Sequence, residues 1–434
     1  MNSFGRIFRV NIFGESHGES VGINIDGIPA GLPLSVDDFL VDIERRKGGT
    51  QKGTTPRQET DLPIFKSGVF NNKTTGAPLT ILFENNNTRS GDYEKQRDFP
   101  RPGHADFVAS KKFAGNEDYR GGGHFSGRLT VAVVAAGVIA KKLLNEIKVE
   151  ATIAEIGGEK NIEAGLQKAI DAKDSVGGIV ECKVSNLPIG LGEPFFDSVE
   201  SLIAHAVFAI PAVRGIEFGT GFKAAKMFGI EHNDAIVDAN GKTKTNHAGG
   251  IVGGITNGNE LIFRIAVKPT ASTAKEQESL NWNTNQVESF SVKGRHDLCI
   301  ALRVPVVLEA VTAMVLADLM LLEQRIPRVM PPAPEGEFIY HITNKNDWQL
   351  AKSKGFYEAA SLKTEGFIHC SKAKQVQGVL ERYFSGKDNL VKLVIDISKL
   401  KNKLQFDFSA SVNEEFPHVY GVINLDAVID VVEI

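Results

Sequence analysis

The sequence predicts an α+β protein in two parts: a large domain in which sheets enclose buried helices, and a small α+β domain behind a proline-rich seam. Three observations carry this expectation. Two long helical stretches, "SGRLTVAVVAAGVIAKKLLNEI" from residue 126 and "EAVTAMVLADLMLLEQR" from residue 309, have almost no polar face, and a helix apolar nearly all round belongs in an interior. Short runs of β-branched alternation recur around them. The stretch "IPRVMPPAPEGE", residues 326–337, sets four prolines between two patterned segments, as linkers do. The expected domains are 1–325 and 337–434, joined by 326–336. The apolar helices are expected either inside a sandwich of sheets or at an oligomer interface.

In chain order, "FRVNIFG", "VGINIDG", "PLTILFE", "GGIVECKVSNL" and "ELIFRIAVKP" read as strands. "SVDDFLVDIERR" reads as a helix with Ser35 as its N-cap and Phe39, Leu40 and Ile43 on one apolar face. The helix from residue 126 turns polar only at Lys141 and Lys142. Past the linker come a strand "FIYHIT", helices "NKNDWQLAKSKG" and "AKQVQGVLERYF", a strand "NLVKLVIDIS" and a strand-rich close, "GVINLDAVIDVVEI". There is no fixed-period repeat and no Rossmann order.

Composition narrows the function classes. A net charge of −4 over 434 residues argues against a general binder of nucleic acid or of membrane surfaces. Cys182, Cys299 and Cys370 are far apart and form no CxxC pair, which fits reduced thiols in a cytosol. The N-terminus "MNSFGRIFRV" is too polar for a secretory leader, and no apolar run is expected to reach membrane-spanning length. A cytoplasmic protein is the expectation. Forty-three glycines, mostly clustered, allow backbone to approach a ligand closely.

Chemistry-bearing residues gather at those glycines. "NIFGESHGES" holds Ser16 and His17, "RPGHADFVASKKF" holds His104 and Asp106, and "DYRGGGHFSGRLT" holds His124, Ser126 and Arg128 at the start of a buried helix. Free N–H groups there, with a hydroxyl and a guanidinium, suit an anion. "ERRKGGTQKGTTPRQE" carries Arg45, Arg46, Lys47, Lys52 and Arg57, and "VKGRHDLC" carries Arg295, His296 and Asp297. Taken singly, each reads as a solvated loop, a tight connection or an imidazole held by a neighbouring carboxylate. Their recurrence in one domain favours a site. A hydrolase elbow would read GxSxG, a zinc site would show spaced ligands such as HExxH, and a nucleotide kinase would show GK[ST]; none is present. What remains is acid–base and electrostatic chemistry, histidines giving protons near an anion held by arginines. A non-catalytic flavin- or anion-binding regulator is the rival reading, and the presence of both His17 and His104 weighs against it.

Together "FGESHG", "RPGHAD", "YRGGGHFSGR", "NHAGGIVGGI", "KPTAS" and "GRHDLC" resemble the chorismate synthase family, in order from Phe4 to about Arg325. The resemblance implies a β-α-β sandwich with central helices, usually a homotetramer. It implies a lyase that eliminates phosphate from 5-enolpyruvylshikimate 3-phosphate in the anti-1,4 sense, at the last common step of the shikimate pathway to the aromatic amino acids. Reduced FMN is the implied cofactor, with NADP as the associated nicotinamide. His17 then protonates the leaving phosphate with Ser16 beside it, His104 serves the reduced flavin, and Asp297 assists deprotonation. Arg46, Lys52 and Arg128 bind the substrate, with Arg45 and Arg57 as neighbours; many relatives carry arginine at position 52. FMN would meet His124, Phe125, Ser126, Pro211, Ala212, Gly253, Arg295 and the run Lys268, Pro269, Thr270, Ala271, Ser272. Pro211 replaces an amide residue often found there.

Residues 337–434 lie outside that pattern. "IYHIT", "TEGFIHCS" and "FPHVYGVINLDAV" resemble a small bacterial domain family of unknown function, for which an ADP-ribosyltransferase-like fold is expected. His341, His369, Cys370 and His418 are candidates to meet in one pocket, a small-ligand or nucleotide cleft being favoured over a metal site. Nothing resembles a flavin reductase, so reduced flavin is expected from a separate one.

Overall fold

The computed structural model describes residues 2–49, 52–55, 59–87, 98–292, 296–330, 338–409 and 414–434. The chain divides into two units, Met1–Met330 and Pro331–Ile434. In the first, strands β1 (Ser3–Phe4), β2 (Arg9–Gly14), β3 (Ser20–Asp26), β4 (Ile64–Ser67) and β5 (Leu79–Glu84) form one antiparallel sheet in the order β1-β2-β3-β5-β4. A second antiparallel sheet comprises β6 (Lys148–Ile156), β7 (Gly178–Ser185), β8 (Val213–Phe218) and β9 (Leu261–Val267), ordered β8-β9-β7-β6. Period-two alternation decides which face is buried. Val21, Ile23 and Ile25 are fully covered, with Ile23 opposite Ile81, and on the other sheet Phe263 stands opposite Cys182.

Between the sheets run the two apolar helices, α3 (Thr130–Leu144) and α6 (Val304–Leu322). They pack along each other, α3 lying on the first sheet and α6 on the second. One continuous core joins both helices to both sheets. The sandwich, rather than an oligomer contact, therefore accounts for their missing polar face. At Gly137 a side chain would overlap Ala310, so glycine lets the helix backbones meet there.

Four expectations need correction. Ser35 does not cap α1 (Asp37–Arg46); the Asp38 carboxylate reaches back and accepts from the Ser35 N–H at 2.7 Å. Leu40 faces solvent, while Phe39 and Ile43 are buried, because its position falls off the inward stripe. Residues 326–330 belong to the first unit rather than to a linker: Met330 N–H donates to Ala30 O at 2.8 Å, and Ile326 is buried in the core. Finally, one helical stretch, Ile300–Leu322, is long and apolar enough to cross a membrane, but it is the core of the sandwich, where burial satisfies the same composition.

The second unit has its own core around Ile339, Trp348, Ile368, Leu393, Ile395 and Val419. Strand β10 (Phe338–Asn344) pairs with β13 (Leu390–Asp396), and β13 with β17 (Val428–Glu433). Short strands β11 (Phe356–Tyr357) and β16 (Ile423–Asn424) pair with each other. A further sheet holds β12 (Ile368–His369), β14 (Lys403–Ser409) and β15 (Glu414–Tyr420), with β15 central. Helix α7 (Lys345–Lys354) starts at an Asn344 cap and stops at left-handed Gly355, as its sequence signals predict. Helix α8 (Val376–Tyr383) is the second expected helix.

Candidate active site

A cavity of about 860 Å³ opens in the first unit beside the N-terminal end of α3. The triglycine turn is its pivot. Gly121, Gly122 and Gly123 all have positive φ, and a side chain on Gly123 would run into Asp118 O. Only glycine takes three such residues in succession without strain. A methyl group on Gly121 would stand 2.5 Å from His17 Cδ2, and one on Gly122 would stand 3.4 Å from His104 Cε1. The two imidazoles therefore meet adjacent residues of one turn. His104 lines the cavity, whereas His17 and Ser16 are buried against Gly121, which lines it.

Backbone and side-chain bonds tie the remote motifs together. Ser16 N–H donates to Gly123 O at 3.1 Å, and His124 Nδ1 donates to Gly14 O at 2.8 Å. Arg101 grips Asp106 with two nitrogens, at 2.7 and 2.8 Å, and donates from Nη1 to Ser272 Oγ at 3.0 Å. Lys268 Nζ donates to Gly103 O at 2.9 Å. "RPGHAD" and "KPTAS" are thus one assembly. Asp106 Oδ1 lies 2.6 Å and Arg101 Nη2 3.1 Å from His104 Nδ1; with the carboxylate as the nearer partner and an acceptor only, Nδ1 donates to it, and Nε2 is the edge that Gly122 faces. Burial alone would raise the Asp106 carboxyl, but bonds from Arg101 and His104 hold it far below the carboxylate range.

Two of the expected substrate arginines share a carboxylate that sequence reasoning missed. Asp61 is buried; it accepts from Arg46 Nη2 at 2.8 Å and forms a short ion pair with Arg128 Nη1. Burial opposes its charge, yet the two guanidiniums keep the carboxyl below its ordinary value. Burial, then the nearby charge of Arg303, pushes Arg46 down to about 10, so it stays cationic at neutral pH. Its Nε is buried with no hydrogen-bond partner. Arg128 Nε donates to Asn85 Oδ1 at 2.9 Å, and Asn85 Nδ2 donates to Glu15 O and Gly18 O at 3.0 and 2.8 Å. Asn85 thereby couples an arginine to the histidine turn. Asp297 is held by Thr55 N–H at 2.8 Å and Arg303 Nη1 at 3.0 Å. Asp61, Asn85 and Arg303 stand outside the glycine-flanked clusters, so no local signal marked them, and Arg101 opens "RPGHAD" without having been singled out there.

His104, His124, Phe125, Ser126, Pro211, Ala212, Lys268, Thr270, Ala271, Ser272, Asp297, Arg46 and Arg128 line the cavity. Pro269 and Gly253 do not; Gly253 sits in the turn between two short strands, Ile251–Val252 and Ile255–Thr256. Nor do Arg45 and Lys52. Arg45 Nη2 donates to Glu309 Oε1 at 2.6 Å, because Glu309 is buried on α6 and its charge requires Arg45 and Lys141. Lys52 is exposed and donates to Gln167 Oε1 at 3.1 Å, on α4 (Ile162–Ala172). Arg57 and Arg295 lie outside the described residues.

In the second unit the four candidates do not form one polar cluster. Cys370 is core, its thiol pushed up by burial. His341 is buried and bonded to His369 O and Tyr357 OH, at 2.6 and 2.8 Å. His369 and His418 meet edge to face at 4.9 Å beside Phe367, each imidazole on its own carboxylate, Glu365 and Asp407. No metal-holding group of three ligands occurs among the described residues.

Comparison with known proteins settles the family. Residues 8–321 match the family described as "Chorismate synthase". This chain belongs to the chorismate synthase family. The chorismate synthase of Chitinophaga pinensis is 75% identical over 330 residues, covering 76% of this chain and 99% of that protein. That of Dehalococcoides mccartyi (strain BAV1) is 45% identical over 360 residues, with the same coverage. A crystal structure of chorismate synthase matches with a TM-score of 0.57 at 25% identity, over 74% of this chain and 93% of that one. Residues 342–431 match a second family, described as "Protein of unknown function (DUF952)".

Proposed function

We propose that the first unit is a chorismate synthase, a carbon–oxygen lyase that eliminates phosphate from 5-enolpyruvylshikimate 3-phosphate to give chorismate. The observation that carries this reading is that "RPGHAD", "YRGGGHFSGR", "KPTAS" and "GRHDLC" line one cavity whose wall also holds Arg46, while His17 of "FGESHG" is buried against its triglycine turn.

The substrate brings roughly three to four negative charges at neutral pH. Among the described residues the wall offers five cations, Arg46, Lys47, Arg128, Lys268 and Arg303, against three carboxylates, Glu59, Asp61 and Asp297. A fixed cationic surplus in a water-poor hollow stabilises charge on a departing phosphate more than water does. In that wall Arg46 keeps one donor, Nε, that is not committed to a protein acceptor. His17, buried against the triglycine turn, holds the proton for the phosphate oxygen.

The cavity also fits FMN. Phe125, Ala212, Pro211, Ile300 and Met314 offer apolar walls for a planar ring, and Ser126, Thr270 and Lys268 offer donors for its phosphate. Reduced FMN bound there would supply a transient electron, which suits an elimination with no net redox change. His104, held by Asp106, is the proton-bearing group for that cofactor.

We assign the enzyme to the cytoplasm, where its three free, buried thiols stay reduced. Reduced flavin comes from a separate reductase, with NADP as its nicotinamide. A homotetramer is supported by strongly exposed aromatic and aliphatic side chains, among them Phe195, Phe196, Phe222, Phe228 and Ile230.

An anaerobic assay with the substrate, FMN and dithionite, following chorismate absorbance, tests the reading. Product should form only with reductant. His17→Ala should cut turnover by about 10²-fold or more, the usual contribution of a general acid, and leave flavin affinity intact. A His17→Ala rate near wild type would remove the acid role.

A further inference from the structure

A second cavity of about 250 Å³ adjoins the first, and His104 belongs to the walls of both. Its other ionisable wall residues are Arg101, Asp106, Glu117, Asp118 and Tyr119. Two facts give it a direction. Gly122, which lines it, faces the Nε2 edge of His104: a methyl there would stand 3.6 Å from Nε2. Glu117 is half-buried, and its Oε2 is buried with no hydrogen-bond partner.

We propose that this second cavity is the proton entry for His104, with Glu117 as the shuttle between bulk water and the chamber. The other carboxylates are unsuited to the task. Asp106 is committed to Arg101 and to His104 Nδ1, and Asp118 is committed to Arg120 at 2.8 Å through two bonds. Those contacts favour their ionised forms. Glu117 alone presents a buried, uncommitted carboxylate oxygen. A cavity of this size has room for about eight waters at ~30 Å³ each, enough for a short hydrogen-bonded chain. The transfer moves one proton and breaks no other bond. The Glu117 carboxylate takes a proton from bulk water and passes it to the water chain, and His104 Nε2 receives it, which leaves the carboxylate free for the next proton. The ionised Asp106 opposite Nδ1 stabilises the imidazolium so formed. Phe99 and Trp282 give the same wall an apolar side.

The inference rests on His104 serving the elimination, so its test includes an arm that needs neither flavin nor substrate. In enzyme labelled with ¹⁵N-histidine, exchange of the His104 ring protons with water should slow about tenfold in Glu117→Ala and recover in Glu117→Asp. In the assay, Glu117→Ala should lose about tenfold in kcat at unchanged KM. Added formate should restore kcat saturably, because a small acid can occupy the vacated position. Melting temperature is recorded for both variants. Unchanged proton exchange overturns the proposal whatever the rate, and so does a slow variant that formate does not rescue. Absence of product from the unsubstituted enzyme sinks the functional reading instead, and the exchange arm still decides the route.

Discussion

The buried imidazole of His341 makes the stability of the second unit depend on pH in a calculable way. Burial is the main cause that pushes it down from an ordinary 6.5 to about 4. The neutral ring completes a chain in which Thr343 and Tyr357 hydroxyls meet at 2.8 Å, Tyr357 OH meets Nε2, and Nδ1 donates to His369 O. Protonating Nε2 would place a second donor against that hydroxyl in a dry site. Above pH 6.5 both folded and unfolded chains hold the ring neutral and no stability is lost. As pH falls below 6.5 the unfolded chain takes up a proton that the folded one refuses, so stability declines until the folded ring itself protonates near pH 4. At 1.36 kcal/mol per pKa unit the full loss is roughly 3 kcal/mol. Depressed carboxylates in the same unit, Asp396, Asp407 and Asp426, act in the same direction but only below their unfolded values near ~3.9. The chain has two tryptophans, Trp282 in the first unit and Trp348 in the second. In a Trp282→Phe background, urea unfolding followed by Trp348 fluorescence therefore reads the second unit in the full chain. His341→Gln keeps one donor and one acceptor without a titrating group. Between pH 7 and 4 the histidine form should lose about 2–3 kcal/mol more than the glutamine form. A difference below about 0.5 kcal/mol would refute the buried-neutral assignment.

Three further outcomes follow from the first unit. Arg45→Ala should destabilise by about 1–3 kcal/mol, seen in urea midpoints, by stripping a partner from buried Glu309; substrate KM should stay within twofold. Gly121→Ala should reduce kcat by more than 10²-fold, because the new methyl would collide with the His17 ring and the residue holds a φ of +59°; flavin titration would show whether the cavity survives. Asp61→Asn should cost about 3–5 kcal/mol, since two buried guanidiniums lose their counter-charge, and inorganic phosphate should raise the melting temperature of this variant more than that of the parent.

Elements whose pattern is local were readable from the chain. The missing polar faces of α3 and α6 marked them as buried, a sandwich of sheets being one of two expected places, and the stretch "NKNDWQLAKSKG" located α7 to within a residue at each end. Leu40 was misjudged because it falls off the inward stripe, and the cap of α1 because Val36 holds the cap position while Ser35's own N–H donates to the Asp38 carboxylate. Residues 326–330 read as linker by composition, yet their backbone pairs with Ala30, a long-range choice that proline content does not encode. At the site, glycine-flanked histidines were visible as clusters. Asp61, Asn85 and Arg303 were not, because what makes them part of the site is a partner 15 to 257 residues away, such as Arg128 for Asn85 and Arg46 for Arg303.

That blind spot changes the electrostatic account of the site. Counting arginines in the basic loop suggests a strongly cationic well, but Asp61 neutralises one of its two guanidinium partners and Asp297 offsets Arg303. The carboxylates hold the planar guanidinium groups in place before any ligand arrives, and fixed geometry limits the reorganisation needed when phosphate charge develops. They also temper affinity. A cavity with every arginine unpaired would grip the trianionic substrate and the departing phosphate alike, and uniform tight binding does not accelerate the chemical step. Under the proposed roles of Arg46 and Arg128, phosphate release depends on Asp61 competing with the anion for both guanidiniums. Inorganic phosphate should accordingly inhibit the parent enzyme weakly and the Asp61→Asn variant at least tenfold more strongly, a difference of about 1.4 kcal/mol; equal inhibition constants would show that Asp61 serves the fold alone.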